Sequence, residues 1–199
     1  VFEQSEPEDN HSSMFQIFER LNSGGVILNQ QEIRNCIYHG PIVEFLMELN
    51  EYPSWRKILR KAYPDDRSKD LELVLRMLAL YDAWRSYDRP MRDFLNRWMK
   101  NNRKISIEKK NLLASKFKCV MDTIYREIGN TAFRPVRGLS PPVVDSVFVG
   151  LANSKDMSVG IKRYGALLSD EDYLDNIKGA TTRNSVVSAR IERAIDILK

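Results

Sequence analysis

The amino-acid sequence predicts a mainly α-helical protein, a multi-helix bundle-like domain with at most a short β remnant at its N-terminus. Three observations lead to this fold class. Apolar residues recur three and four positions apart through most of the chain, which is the spacing of one helix face. Proline and glycine fall where these stretches begin and end. Residues 70–87 are apolar on nearly every side, as expected of a central buried helix.

The first two predicted helices flank a glycine turn. An apolar stripe over residues 14–21 predicts the first helix, and Gly24-Gly25 closes it because glycine tolerates the left-handed conformation. Asn29 and Glu32 have the spacing of a capping box, in which each side chain bonds the backbone N–H of the other residue. This pair predicts the start of the second helix.

The remaining helices are predicted from the same signals. Prolines open several of them, and Ser106 is placed to cap the longest. Between them, residues 131–139 are predicted to be irregular and basic, with Arg134 and Arg137. The predicted helices cover residues 41–50, a segment that opens at 53, and residues 70–87, 90–101, 106–128, 141–151, 159–168, 171–177 and 185–199.

Arg76 stands alone inside the apolar run of residues 70–87. An unpaired buried charge is very costly, so the sequence requires a partner for this guanidinium. Glu72, one helical turn earlier, is the expected partner. A carboxylate from elsewhere in the fold, or a phosphate, is the alternative.

Composition narrows the class of protein. The 199 residues carry 31 Lys and Arg against 27 Asp and Glu, a net charge of +4, with no bilayer-length apolar run and no signal-like start. We therefore expect a cytoplasmic protein without a membrane partner. His11 and His39 form no metal-binding motif, so no metal site is expected. Cys36 and Cys119 are expected to be reduced, partly buried thiols.

Polar side chains gather around the glycine turn. Arg20 lies on the first helix, and Gln31, Arg34 and Tyr38 are expected along one polar face of the second. Arginine guanidinium groups and exposed glycine N–H groups can donate hydrogen bonds to phosphate oxygens. The alternative is that the glycines only end a helix and that the arginines are solvated or paired with neighbouring acids such as Glu32.

Residues 18–25, Phe-Glu-Arg-Leu-Asn-Ser-Gly-Gly, and residues 28–35, Leu-Asn-Gln-Gln-Glu-Ile-Arg-Asn, carry two spaced pairs of residues. With these pairs the chain resembles the N-terminal domain family of GmrSD-type restriction endonucleases, which is related to the ParB and sulfiredoxin-like fold. The Phe-x-x-x-Asn and Leu-x-x-x-Glu elements of that family match Phe18, Asn22, Leu28 and Glu32.

The similarity continues more weakly at residues 70–76, 132–134 and 143–148. The family's Asp-Gly-Gln-Gln-Arg loop, implied in nucleotide hydrolysis, is absent from this sequence, as is the His-Asn-His nuclease module. We therefore expect the C-terminal portion of a longer protein, a piece of a ParB/sulfiredoxin-like α+β domain plus a helical extension. The implied organisation is a ParB-like nucleotide-site region over residues 1–40, a central helical domain over 41–130 and a C-terminal helical subdomain over 131–199.

The resemblance implies a prokaryotic anti-phage defence protein, a nucleotide-dependent restriction endonuclease subunit that acts on modified DNA. This chain would supply half of a nucleotide site. The implied cofactor is a nucleoside triphosphate, with Mg in the intact protein, and this piece alone is expected to bind no cofactor and to be inactive. In this scheme Arg20 and Arg34 neutralise phosphate charge, while Glu32 caps its helix and orients Arg34. The implied cofactor-binding residues are Phe18, Arg20, Asn22, Ser23, Gly24, Gly25, Gln31, Glu32 and Arg34.

Ten cations crowd residues 89–118, where only two acids accompany them and Phe94 and Trp98 interleave. Such a window suits a nucleic-acid backbone, and a solvated helical face is the alternative. The predicted nucleic-acid-binding residues are Arg89, Arg92, Arg97, Lys100, Arg103 and Lys104.

Two further functional classes compete with the defence enzyme. One is a non-catalytic helical module that binds DNA or a protein partner, with a purely structural glycine turn. The other is a structural helical domain whose partner is a second subunit or another copy of the chain. The expected partners are therefore DNA, a nuclease subunit or a homo-oligomer.

Overall fold

The fold is helical throughout the part of the chain that the computed structural model describes, residues 27–136 and 138–199. Regular structure there consists of helices without a strand, which confirms the predicted fold class for those residues. Short 3-10 turns lie at Trp84–Ser86 and Gly129–Thr131. The α-helices are α1 Gln30–Ile37, α2 Pro41–Asn50, α3 Pro53–Leu59, α4 Lys69–Ala83, α5 Met91–Asn101, α6 Ile107–Glu127, α7 Pro141–Asn153, α8 Met157–Lys162, α9 Tyr164–Leu167, α10 Glu171–Asn176 and α11 Asn184–Leu198.

Local sequence signals set most helix boundaries. Prolines occupy the first turn of α2, α3 and α7, where a missing N–H costs nothing. The Ser106 hydroxyl accepts the backbone N–H of Lys109 at 3.2 Å and caps α6 as predicted. The predicted helix over residues 70–87 is shorter than expected, because α4 ends at Ala83 and a 3-10 turn follows.

Helix α4 lies at the centre of the helical body, as predicted. Val74, Leu75 and Leu78 are fully buried, and the helix packs against α1, α2, α5 and α7. A chain of aromatic rings extends this core. The ring of Phe148 on α7 lies 6.2 Å from that of Tyr81 and 6.1 Å from that of Phe117 on α6. The core is therefore continuous across the segment near residue 130, while the division of the chain into three units stays a prediction.

Helix α6, with 21 residues, is the longest of the described helices and buries one face. Phe117, Val120 and Ile124 on that face are fully buried. Within residues 27–136 and 138–199, no helix combines the length and apolar character needed to cross a membrane.

Both cysteines are exposed free thiols, so the prediction of partly buried cysteines is wrong. Cys119 lies on the outer side of α6, beside the buried Val120. Cys36 lies on α1 between the buried Ile33 and Ile37. Polar residues of α1 occupy part of the inward face instead, and Cys36 is turned to solvent.

Two glycines allow the C-terminal helices to approach closely. A Cβ added at Gly150 of α7 would lie 2.9 Å from the carbonyl oxygen of Ala194 on α11. A Cβ added at Gly160 of α8 would lie still closer to the Leu198 carbonyl oxygen. Since both obstacles are backbone atoms, a side chain at either position has to push α11 away.

We predict that Gly160→Ala lowers the free energy of unfolding by about 1–3 kcal/mol, because the added methyl group overlaps the α11 backbone. Chemical denaturation followed by circular dichroism measures this change. Gly165→Ala is the matched control, since nothing lies within 4 Å of its added Cβ. Equal stability of the Gly160→Ala variant and the wild type would contradict the close approach of α8 and α11.

Candidate functional site

Helix α1 begins at a complete capping box, which confirms the prediction from the sequence. Asn29 Oδ1 accepts the backbone N–H groups of Gln31 and Glu32 at 2.9 and 3.0 Å. Glu32 Oε2 in turn accepts the backbone N–H of Asn29 at 2.6 Å. These bonds satisfy N–H groups that the first turn of a helix otherwise leaves without partners.

Glu32 also ties α1 to the loop before α4. Arg67 Nε donates to Glu32 Oε1 at 2.8 Å, so among the described residues this carboxylate bonds to Arg67 and Asn29 and not to Arg34. Partial burial works to raise the pKa of Glu32, but the Asn29 N–H and the Arg67 guanidinium outweigh it and hold the pKa below its ordinary value of 4.5.

The polar face of α1 is buried, although the sequence predicted it to be exposed. Gln31, Arg34 and Tyr38 are each only 1% exposed. Arg34 Nη1 donates to Gln31 Oε1 and to Glu72 Oε2, both at 2.9 Å, and Nε donates to Asn96 Oδ1 at 2.9 Å. Burial of a guanidinium is tolerable here because a carboxylate neutralises it and amide oxygens accept its N–H groups. Phosphate binding by Arg34 stays a prediction, and it would require exchange of the Glu72 ion pair.

Arg76 pairs with Asp145 on α7, so the expected pairing with Glu72 is wrong. Arg76 Nε donates to Asp145 Oδ1 at 3.2 Å, and Nη2 donates to Oδ2 at 2.5 Å. Arg190 on α11 approaches the same Oδ2 at 3.5 Å, and both Asp145 and Arg190 are fully buried. The physical reason is that Glu72 is already engaged by Arg34, which leaves Asp145 as the carboxylate for Arg76.

These side chains form two neighbouring ion-pair groups that we call the charge cluster. Glu72 and Arg76 lie one turn apart on α4, so each joins a different helix to the centre of the fold. Three guanidinium groups face two carboxylates, which leaves the cluster with one excess positive charge. The charge cluster consists of Arg34, Glu72, Arg76, Asp145 and Arg190.

A cleft of about 400 Å³ opens beside the charge cluster, between the first turn of α1 and helix α4. Amide side chains line one part, Lys69 and Arg76 supply positive charge, and Glu72 supplies one carboxylate. The exposed lining is mostly apolar, and Glu72 and Arg76 are already bonded to Arg34 and Asp145, so Lys69 is the lining cation without an acidic partner among the described residues. The lining residues are Asn29, Gln30, Gln31, Lys69, Glu72, Leu73, Arg76 and Pro141.

Three of the predicted cofactor-binding residues lie in the described part of the chain. Gln31 lines the cleft, while Glu32 and Arg34 lie on the same helix and bond to other protein groups. The predictions for Phe18, Arg20, Asn22, Ser23, Gly24 and Gly25 fall outside the described residues.

Acids from elsewhere in the fold neutralise part of the predicted basic window. Lys109 Nζ lies 2.7 Å from a carboxylate oxygen of Asp82. The carboxylate of Glu48 on α2 forms ion pairs with Lys110 Nζ at 3.2 Å and with Lys118 Nζ at 3.6 Å. The second half of this window is therefore partly neutralised by acids that are distant in sequence.

The six predicted nucleic-acid-binding residues all lie on α5 or beside its ends. Arg92 pairs with its neighbour Asp93 at 2.9 Å, and Lys100 is half-buried. Arg97 Nη2 donates to the Asp88 carbonyl oxygen at 3.4 Å, which brings it to the start of α5. The other cations are exposed, and none forms an ion pair with any residue that the structure describes: these are Arg89, Arg97, Arg103 and Lys104.

Sequence reasoning missed three charged residues at or beside the cleft, Lys69, Asp145 and Arg190. Asp145 and Arg190 had a detectable signal, because each is a lone charge in an otherwise apolar helix face. A lone base on one buried helix and a lone acid on another favour an ion pair between them, since neither charge can be buried alone. Lys69 had no comparable signal, because a lysine at the start of a helix is common on protein surfaces.

Comparison with known proteins assigns no family to this chain: no protein-family model matches it, no curated protein matches it, and no solved structure matches it.

We predict that Glu32→Gln destabilises the protein by about 0.5–2 kcal/mol at neutral pH, because the Arg67 ion pair is lost and a neutral amide replaces the capping carboxylate. The folded pKa is depressed, so this stabilisation is present above pH 4.5 and is lost as the pH falls through the folded pKa. Urea denaturation at a series of pH values measures the difference between the variant and the wild type.

Glu192→Gln on the exposed side of α11 is the control for the loss of one surface charge. A difference between Glu32→Gln and the wild type that stays constant from pH 7 to about pH 3 would contradict the stabilising role of the Glu32 carboxylate.

Proposed function

We propose that the helical body binds the phosphate backbone of DNA through α5 and the segments adjoining its two ends. The observation that carries this proposal is the group of exposed cations there without an acidic partner among the described residues. We call this group the α5 cations, and it consists of Arg89, Arg97, Arg103 and Lys104.

The contrast with the neighbouring lysines supports this assignment. Lys109, Lys110 and Lys118 each contact Asp82 or Glu48, so two carboxylates offset two of these three positive charges. The α5 cations are balanced by mobile solution ions instead. Contact with phosphates releases counterions from DNA, which makes binding favourable at low salt and weak at high salt. Such contacts position a duplex but carry no direct sequence information.

We further propose that the intact protein is a nucleotide-dependent restriction endonuclease subunit similar to the GmrSD type, acting on modified DNA in anti-phage defence. The support is the resemblance over residues 18–35 together with the cleft beside α1. The cleft lies next to the second half of that motif, and Lys69, which lines it, suits a phosphate of a nucleoside triphosphate. In the intact protein such a nucleotide would bind with Mg.

One observation favours a non-catalytic DNA- or protein-binding module as the second candidate. Arg34 already donates to Glu72, Gln31 and Asn96, so the second half of the motif has a complete structural role without a nucleotide. Both candidates share the DNA-binding face and differ in whether the cleft takes a nucleotide. Isothermal titration of the full-length protein with ATP and with GTP separates them, because the module predicts no heat of binding with either nucleotide.

We predict that the chain binds duplex DNA with a dissociation constant that rises steeply with salt. The triple variant Arg97→Gln, Arg103→Gln and Lys104→Gln should bind more weakly and should reduce the slope of log affinity against log salt by about three, because each removed cation gives up about one phosphate contact. Fluorescence anisotropy with a labelled duplex between about 50 and 200 mM salt gives both quantities.

The matched control is Lys109→Gln, Lys110→Gln and Lys118→Gln, which removes the same formal charge from cations that have acidic partners. It should leave the slope nearly unchanged. If the two triple variants reduced the slope equally, DNA binding would depend on the overall charge of the protein and not on a defined contact with the α5 cations. No binding of the wild-type chain at low salt would remove the DNA-binding proposal.

A further inference from the structure

Two arginines from distant parts of the chain converge on one carbonyl oxygen just after α6. Arg60 Nε donates to the Asn130 oxygen at 3.0 Å, and Arg134 Nη1 donates to the same oxygen at 2.9 Å. Arg134 Nη1 also donates to the Ala132 oxygen at 2.9 Å. The distance between Arg60 Nε and Arg134 Nη1 is therefore at most the sum of their two distances to the Asn130 oxygen. We call Arg60 and Arg134 the arginine pair.

An unfavourable backbone conformation occurs at Arg60 and at the residue directly before Arg134. Arg60 follows α3 with a φ of 60°, in the left-handed region where a glycine or asparagine is usual at the end of a helix. Phe133, directly before Arg134, has a φ of 63°. A bulky residue in this region is strained, and such strain concentrates where a side chain has to be aimed. The Phe133 ring is fully buried, and the backbone N–H of Phe133 donates to the Tyr164 hydroxyl oxygen at 2.8 Å. These contacts anchor Arg134, the next residue, to the core.

The local charge of the pair is incompletely balanced. The carbonyl end of α6 contributes about half a negative charge, which attracts the guanidiniums but leaves about one and a half of their two positive charges unbalanced. Among the described residues neither arginine forms an ion pair. Neighbouring acids are engaged elsewhere, because Glu127 binds Arg126 at 2.8 Å and Asp65 binds Lys61 at 2.7 Å. Burial and the nearby charge of Arg60 both lower the pKa of Arg134.

We propose that the arginine pair is a binding site for a phosphoryl anion, held by the N–H groups of both guanidiniums that the Asn130 and Ala132 oxygens leave free. A guanidinium has five N–H donors in a fixed fork, and the protein uses few of them here. Two forks that share one anchor can bind the oxygens of a tetrahedral phosphate from two sides. The site contains none of the α5 cations, so it goes beyond the proposed DNA-binding face. A phosphodiester of nucleic acid and the terminal phosphate of a nucleotide share this chemistry.

Titration of the full chain with inorganic phosphate tests the site directly. At constant ionic strength set by chloride, the Nε–Hε NMR signals of Arg60 and Arg134 should shift in a saturable way, while that of Arg126, at the same end of α6, should not. Arg134→Gln and Arg60→Gly should each weaken phosphate binding by about tenfold, because each removes one of two charged forks. Arg60→Gly also suits the left-handed backbone, so loss of folding does not confuse the result.

Arg126→Gln is the matched control, since it removes an exposed arginine whose partner is Glu127. Parallel titrations with a short DNA duplex and with ATP identify the source of the phosphoryl group. Weaker binding of DNA or of ATP by Arg134→Gln and Arg60→Gly supports the site. No saturable shift with phosphate, or wild-type phosphate affinity in both variants, would overturn the proposal. Either negative result leaves the α5 cations to be judged by their own salt dependence.

Discussion

The carboxylate of Asp145 is the interaction on which the described helical body depends. It is fully buried and receives Arg76 from α4 and Arg190 from α11, so one acidic group joins three central helices. Neither guanidinium can be buried without it, because an unpaired charge in a packed interior costs several kcal/mol. The apolar surfaces of α4, α7 and α11 supply most of the packing energy, while this ion pair fixes which residues of the three helices face each other.

The same constraint shapes the surface available for binding. Because Arg34 occupies Glu72 and Asp145 is shared by two arginines, the charge cluster keeps one excess positive charge in the interior. On the surface, cations without an acidic partner among the described residues include the α5 cations and the arginine pair, and the proposed binding of phosphate groups relies on these two places.

Local signals in the sequence were sufficient to predict the helices and their caps. The capping box at Asn29 and the cap at Ser106 involve groups within three residues of each other, so the chain alone determines them. Partner choice between helices was not predictable in this way. Arg76 pairs with Asp145 instead of Glu72, and Glu48 contacts two lysines more than sixty residues away, because packing decides which faces meet.

The most direct test of this account is a double-mutant cycle between Asp145 and Arg190, measured by equilibrium urea denaturation. Asp145→Asn should lower the free energy of unfolding by about 3–5 kcal/mol, because two buried guanidiniums lose their carboxylate. Arg190→Met should cost at least about 1 kcal/mol less in the Asp145→Asn background than in the wild type, since the charge it removes is then already unpaired. Additive effects of the two substitutions, or a near-neutral Asp145→Asn variant, would contradict the central role of this carboxylate.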